Sequence, residues 1–298
     1  MLTIIRRFVL VGVCLFYTAA PIPAQTEGPM AAPPKFEVKR ISSVPTPGPP
    51  PIPLPQLVQQ VARNEDAIQQ AYFTYTFDQF IFVKELAGPD DPGGDFTVTS
   101  RVSFEADGQR REHVLKSAAS TLKRAYSLRF ELDKLTSAPL FILTTAQLPN
   151  YNVTFEGEEM LDEIHAYILR VQPKQIGRAI RRFDGVVWVD DHDVAIVKSY
   201  GRFVSDVAHS ESIDEPFQQF EIYRENIVGQ MWFPTYVDSD SVISQQDGDL
   251  HLSLVMHSSN FHAAGAAAIS RSASQVSPPG SGSTVPSSVP ATSVPAKP

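Results

Sequence analysis

FTVTSRVSFEADGQRREHVLK, residues 96–116, alternates side-chain character with a period of two. Phe96, Val98, Val102, Phe104 and Ala106 fall on one parity, and Thr97, Thr99, Arg101, Ser103 and Glu105 on the other. That period belongs to a strand with one face buried and one face wet. Asp107-Gly108 at its end is a hairpin signal, so residues 109–116 are expected to pair back on it.

The same pattern extends in both directions. Residues 72–83 are aromatic and β-branched, with Phe73, Tyr75 and Phe77 on one parity and Phe80 and Phe82 on the other. The parity flip at Asp78-Gln79 predicts a β-bulge or bend there. Downstream, strand patterns resume at residues 151–156, 164–171, 182–189, 194–203, 217–226, 231–238 and 249–257. In the last of these Leu250, Leu252, Leu254 and Met256 share a parity opposite to His251, Ser253 and His257. Before the strands, residues 56–71 place Leu57, Val58, Val61, Ala62, Glu65 and Ile68 at helical spacing, just after Pro55, as a helix start requires. Residues 118–148 lose the strand pattern: 120–135 suit a helix, and 137–148 are apolar without a turn signal at the centre. The expected fold is mostly β with one leading helix. About ten strands joined by short connections make a large, curled antiparallel sheet, an unclosed barrel with residues 118–148 as a helical plug or lid.

Composition sets the boundaries. Of 25 prolines, twelve lie between Pro21 and Pro55 and six between Pro278 and Pro298, leaving seven in residues 56–262. The middle is long enough to bury a core; the proline-rich ends are not built to. Residues 1–24 read as a secretory signal peptide: Arg6 and Arg7, an apolar run from Phe8 to Phe16, then small residues, with cleavage after Ala24. That apolar run is too short to cross roughly 30 Å of hydrocarbon comfortably. Residues 25–55 are expected to be a disordered polyproline-type linker, 56–262 one folded domain, and 263–298 a disordered Ser/Pro-rich tail. Cys14 leaves with the signal, and the mature chain then has no thiol for disulfides, metal ligation or nucleophilic catalysis. Localisation is expected to be periplasmic or secreted, with no integral membrane segment after cleavage.

Charge narrows the partners. The chain carries −8, and residues 56–262 hold 18 Lys/Arg against 31 Asp/Glu, a balance of −13. A general nucleic-acid binder needs a basic footprint, so none is expected. The one local basic cluster is Lys174, Arg178, Arg181 and Arg182. It suits a lipid phosphate or an acidic partner chain, and equally a solvated loop. Asp190-Asp191-His192-Asp193 has the donors for a hard or borderline metal. Lying between two apolar strands, it is read instead as a turn, which Asp favours. His251 and His257 share a face, but six residues of strand separate them by roughly 20 Å. Zinc-protease spacing, a phosphate loop and a nucleophile elbow are all missing from the sequence. Ser120 and Lys123 match a Ser-x-x-Lys string without its companion motifs. No enzyme activity, metal or cofactor is expected.

Three segments in fixed order carry a family resemblance: VTFEGEEMLDEIHAYILRVQPK (153–174), RRFDGVVWVDDHDVAIVKSYGRF (181–203) and MWFPTYVDSDSVI (231–243). The chain resembles the LolA/LolB-like, outer-membrane-lipoprotein-sorting group of secreted bacterial proteins. The matching features are Pro173-Lys174, then Gly185 with Trp188-Val189-Asp190, then Val197-Lys198, and Trp232-Phe233-Pro234. YFTYTFDQFIFVKEL (72–86) is similar to the group's first strand. The resemblance implies an unclosed β-barrel whose helices plug the concave side and whose apolar cavity shelters acyl chains. On that basis a lipid or acylated, lipoprotein-like cargo is expected, held by Phe96, Val98, Val102, Phe104, Trp188, Trp232, Phe233, Leu252 and Leu254. A sensor or scaffold that uses the fold to bind a periplasmic or outer-membrane partner protein is the alternative.

Overall fold

The computed structural model describes residues 39–86, 93–105, 107–123, 140–176, 181–204, 219–245 and 248–264. The expected signal peptide, the tail beyond residue 264 and the centre of the 118–148 segment lie outside the described residues. One helix, α1 (Leu54–Tyr72), precedes ten strands. These are β1 (Tyr75–Leu86), β2 (Gly94–Phe104), β3 (Arg110–Ser117), β4 (Tyr151–Leu161), β5 (Ile164–Pro173), β6 (Arg182–Asp190), β7 (Ile196–Val204), β8 (Gln219–Val228), β9 (Met231–Gln245) and β10 (Gly248–Ala263). They form a single antiparallel sheet in the order β3-β2-β1-β10-β9-β8-β7-β6-β5-β4.

That order explains why the barrel stays open. Every neighbour in sequence is a neighbour in space except β3 and β4, which are the two edges, while β1 and β10 pair across the whole domain. The sheet is an open barrel cut between its edge strands, β3 and β4. Side chains from β1 (Ile81, Val83), β5 (Leu169, Val171), β8 (Ile222) and β10 (Leu252, Leu254) meet in one buried cluster with Leu57, Val58 and Val61 of α1. Strands so far apart in the order reach one helix only because the sheet curls around it.

The helix starts behind Pro53, has a proline in its first turn and buries Leu57, Val58, Val61, Ala62, Glu65, Ile68 and Tyr72. These positions make a single stripe at helical spacing. Its C-terminal half lies in a second cluster, where the Tyr72 ring stands 5.2 Å from Phe77, 5.4 Å from Phe141 and 5.4 Å from Phe233. Residues 140–147, within the segment expected as a plug, contain no helix, yet Phe141, Ile142 and Leu143 are buried against α1. Glu65 and Arg224 hold this segment through Ile142 N–H and Leu140 O.

No bulge occurs at Asp78-Gln79, where the pairing is regular; the register shift of β1 against β10 lies before it, between Thr76 and Asp78. Beyond it the parity does not flip: Phe77, Gln79, Ile81 and Val83 alternate regularly onto the inner face, and Phe80 and Phe82 lie half-buried on the other. β9 and β10 run longer than their apolar patterns: Asp238, Ser239 and Asp240 pair with Val255, Leu254 and Ser253. Polar residues continue a ladder when their backbone groups have a partner strand.

Residues 39–46, part of the stretch read as linker, are bound to the sheet. Lys39 pairs with Asp238, and Arg40 Nη2 donates to the Arg224 carbonyl at 3.0 Å. Ser42 and Thr46 then bridge antiparallel to Leu161 and Glu158 of β4. The bonds include Ser43 N–H to Met160 O (2.9 Å) and Thr46 N–H to Glu158 O (2.8 Å). The Ser and Thr residues keep the N–H groups that the interspersed prolines lack, so this strap satisfies the exposed edge of β4. It approaches closely at Gly157, where φ is +139° and a Cβ would sit 2.5 Å from the Thr46 carbonyl oxygen. Only glycine accepts that conformation without strain.

Candidate functional site

Where α1 passes the start of β4, the packing leaves an open groove of about 720 Å³. Leu54, Pro55, Val58 and Ala62 form the α1 wall, and Leu148, Pro149, Tyr151 and Val153 form the opposite one. Gln59, Arg63, Thr145 and Lys174 complete the lining. Its size falls within the roughly 300–1,000 Å³ of small-molecule pockets, and its apolar walls with few polar groups match their usual chemistry.

Local bonding sets the walls. A short 3-10 turn, Leu148–Asn150, leads directly into β4. Leu148 N–H bonds to Thr144 O at 2.9 Å, and Thr145 N–H to the Asp66 carboxylate of α1 at 3.1 Å. Lys174 closes the end of β5 over this turn, its N–H on Asn150 O at 2.8 Å and its Nζ on Pro149 O at 2.9 Å. The Tyr151 hydroxyl accepts from Phe183 N–H at 3.1 Å. Burial raises the pKa of this phenol, while that bond and the nearby Arg182 act the other way; it serves as a neutral wall residue.

A second cavity, about 540 Å³, lies at the hairpin tips and is lined by polar groups including Arg40, His165, Asp190, Asp191, His192 and Glu225. Here the sequence cluster Asp190–Asp193 forms a turn. The Asp190 carboxylate accepts from His192 N–H (3.1 Å) and Asp193 N–H (2.5 Å), and Val194 has φ +51°. Burial raises the Asp190 pKa, partly offset by the Asp193 N–H bond. His165 Nδ1 stands 2.9 Å from Asp191. Among the described residues no group of three metal-ligating side chains converges.

The nine residues expected to hold cargo lie elsewhere. Val102, Phe233, Leu252 and Leu254 are buried in the two core clusters, with Phe96, Val98 and Phe104 half-buried against them. Trp232 is buried, with its indole N–H on Asp193 at 2.7 Å. Trp188 points to the sheet face opposite Val187 and Val189, where its indole donates to Glu159 at 2.5 Å and Lys198 Nζ stands 4.6 Å from the ring centre. None of the nine lines the groove. α1 covers the inner face on which Val102, Leu252 and Leu254 lie, while the groove opens beside the helix. Of the groove residues, the sequence had singled out only Lys174 as a charge and Val58 and Ala62 as helix stripe. The others become neighbours through tertiary packing.

Comparison with known proteins adds little at the level of sequence. No family model matches the chain, and no curated protein matches it. Among solved structures the chain is similar to a DUF1329 family protein from Desulfovibrio piger, at 14% identity over 75% of this chain and 99% of that one, with a TM-score of 0.35. It is also similar to the Pseudomonas aeruginosa MucA/MucB complex structure, at 12% identity over 68% and 93% with a TM-score of 0.22. A crystal structure of MucB gives 12% identity over 71% and 96% with a TM-score of 0.23. Among the described residues no helix is long and apolar enough to cross a membrane.

Proposed function

We propose that the chain is an exported, non-enzymatic binding protein that takes lipid or acylated cargo into the groove between α1 and β4. The observation that supports this reading is the groove itself. Beside the part of the inner face that α1 and residues 141–143 cover, it is an accessible, two-walled apolar surface of ligand size. Burying an alkyl chain there gains about 0.8 kcal/mol per methylene. Export to the periplasm rests on the signal-like residues 1–24, and a role without catalysis on the absence of catalytic motifs from the sequence.

Native mass spectrometry of the mature protein from its own host, with lipid extraction of the same sample, tests the reading. A co-purifying acyl species is the expected result. Protein that is empty and takes up no added acyl chain overturns it.

The edge strand β3 favours a second reading, a scaffold for a partner protein. Seven of its eight residues are exposed, Val114 at 54% and Leu115 at 45%, and among the described residues it pairs only with β2. An edge of this kind accepts an added strand from an extended partner segment. Cross-linking from β3 to a stable protein partner, with no acyl uptake, would establish this reading over the first.

A further inference from the structure

We infer that the groove selects an anionic amphiphile: a single alkyl chain, with a carboxylate or phosphate head held by Lys174 and Arg63. This rests on the groove being the cargo site. The domain around it is acidic, with 18 Lys/Arg against 31 Asp/Glu in residues 56–262, so an anion is repelled unless cations gather locally. They gather here. Lys174 and Arg63 both border the groove, and Lys174 opens the only local basic cluster in the sequence. Arg182 of that cluster lies close enough to Tyr151 to stabilise its phenolate form; Arg178 lies outside the described residues.

The two cations have capacity for a ligand. An ammonium has three donors, and among the described residues Lys174 spends one on Pro149. Arg63 is exposed and makes no ion pair among the described residues. The nearest carboxylate on the same helix, Asp66, is engaged by the Thr145 N–H. Both cations flank the side of the groove formed by residues 145–150. Lys174 bonds Pro149 and Asn150, and Arg63 precedes Asp66 by three residues on α1. Leu54, Pro55 and Val153 leave the remainder apolar. The apolar α1 row from Leu54 to Ala62 runs for about 12 Å at 1.5 Å per residue, a length that one extended alkyl chain follows.

Equilibrium dialysis of the full chain against laurate and against lauryl alcohol, in parallel at low and high salt, tests this. Laurate is expected to bind roughly tenfold tighter than the alcohol, from two solvent-accessible charge contacts, with the preference shrinking as salt rises. In the double variant Lys174→Gln, Arg63→Gln that preference falls towards parity, while Lys174→Arg retains it. Unchanged thermal melting confirms that these surface variants are folded. Equal binding of the two probes, or a preference that survives the double variant, overturns the head-group inference and leaves the groove as the cargo site. Binding of neither probe overturns both.

Discussion

Arg224 and Glu65, 159 residues apart, form a two-point ion pair in the centre of the domain, Nη1 to Oε2 at 2.7 Å and Nη2 to Oε1 at 2.8 Å. Both side chains are essentially inaccessible, at 0% and 1% exposure. The pair also binds a third segment: Glu65 accepts from Ile142 N–H at 3.0 Å and Arg224 donates to Leu140 O at 2.9 Å. The guanidinium carbon stands 5.1 Å from the Phe141 ring centre. One ion pair therefore ties α1, β8 and residues 140–142 together, and those residues lead to the wall of the groove. Removing one partner leaves a buried charge and an orphaned backbone group, Ile142 N–H or Leu140 O. Glu65→Ala or Arg224→Ala should each cost about 3–5 kcal/mol, read from urea unfolding. The double variant Glu65→Leu, Arg224→Met should recover much of that loss. A single variant within about 0.5 kcal/mol of the parent, the range of an ordinary surface change, would refute the clamp.

Gly157 is where the strap meets β4. Alanine there must adopt a φ of +139° with its Cβ 2.5 Å from Thr46 O, so either β4 or the strap gives way. The strap is the weaker party, being held by isolated bridges rather than a continuous ladder. Gly157→Ala should speed amide exchange at Ser43 and Thr46 by roughly 5- to 150-fold, since the strain it introduces is about 1–3 kcal/mol. Exchange in β5 and β6 should be unchanged. Equal protection of the strap in variant and parent would show that the contact does not hold it.

The division between what the sequence revealed and what it hid follows from which interactions are local. Alternation in Phe96–Phe104 marked β2, a consequence of a period of two. In β1 the aromatics misled, because Phe80 and Phe82 suggest a parity flip while the inner-face parity runs unbroken from Phe77 to Val83. Glu65 stood in an apolar stripe, a sign that it must be paired, but nothing local identifies Arg224. The strap was hidden because proline content dominates residues 39–53, while the Ser and Thr between the prolines supply the pairing. The groove was hidden because α1, residues 145–149 and β4 have to converge before it exists. Which face of Phe96, Phe104 and Phe233 is core was hidden because alternation distinguishes two faces of a strand without saying which side a helix will occupy.

His257 gives the fold a pH-dependent contribution to stability. Its Cα partners are Phe80 of β1 and Tyr236 of β9, and burial holds its pKa below the ordinary 6.5, with Glu225 opposing. Below 6.5 the unfolded chain therefore binds more protons than the folded one. The stabilisation is complete above that value and declines as pH falls towards the folded pKa. Asp78, lowered chiefly by its hydrogen bond from Arg101, loses its contribution only in the more acidic carboxylate range. The Tm of the parent should drop as pH falls below about 6.5, and His257→Gln should flatten that part of the curve. Parallel curves for the two proteins would assign the decline to other groups.

Core and groove are separable by a pair of substitutions. Phe233 has no accessible surface, and its ring lies 5.1 Å from Tyr75 and 5.6 Å from Phe261. Phe233→Ala empties the second cluster and should cost about 3–5 kcal/mol. Gln59 is an exposed helix residue on the groove lining. Gln59→Trp projects a large side chain where an alkyl chain would lie, and it should leave stability within about 0.5 kcal/mol while reducing laurate uptake at least tenfold. Were cargo instead held by the inner-face aromatics, Gln59→Trp would bind normally, and Phe233→Ala, assayed well below its melting temperature, would lose uptake. The same dialysis measurement on both variants decides between the two locations, because each predicts the opposite pattern of loss.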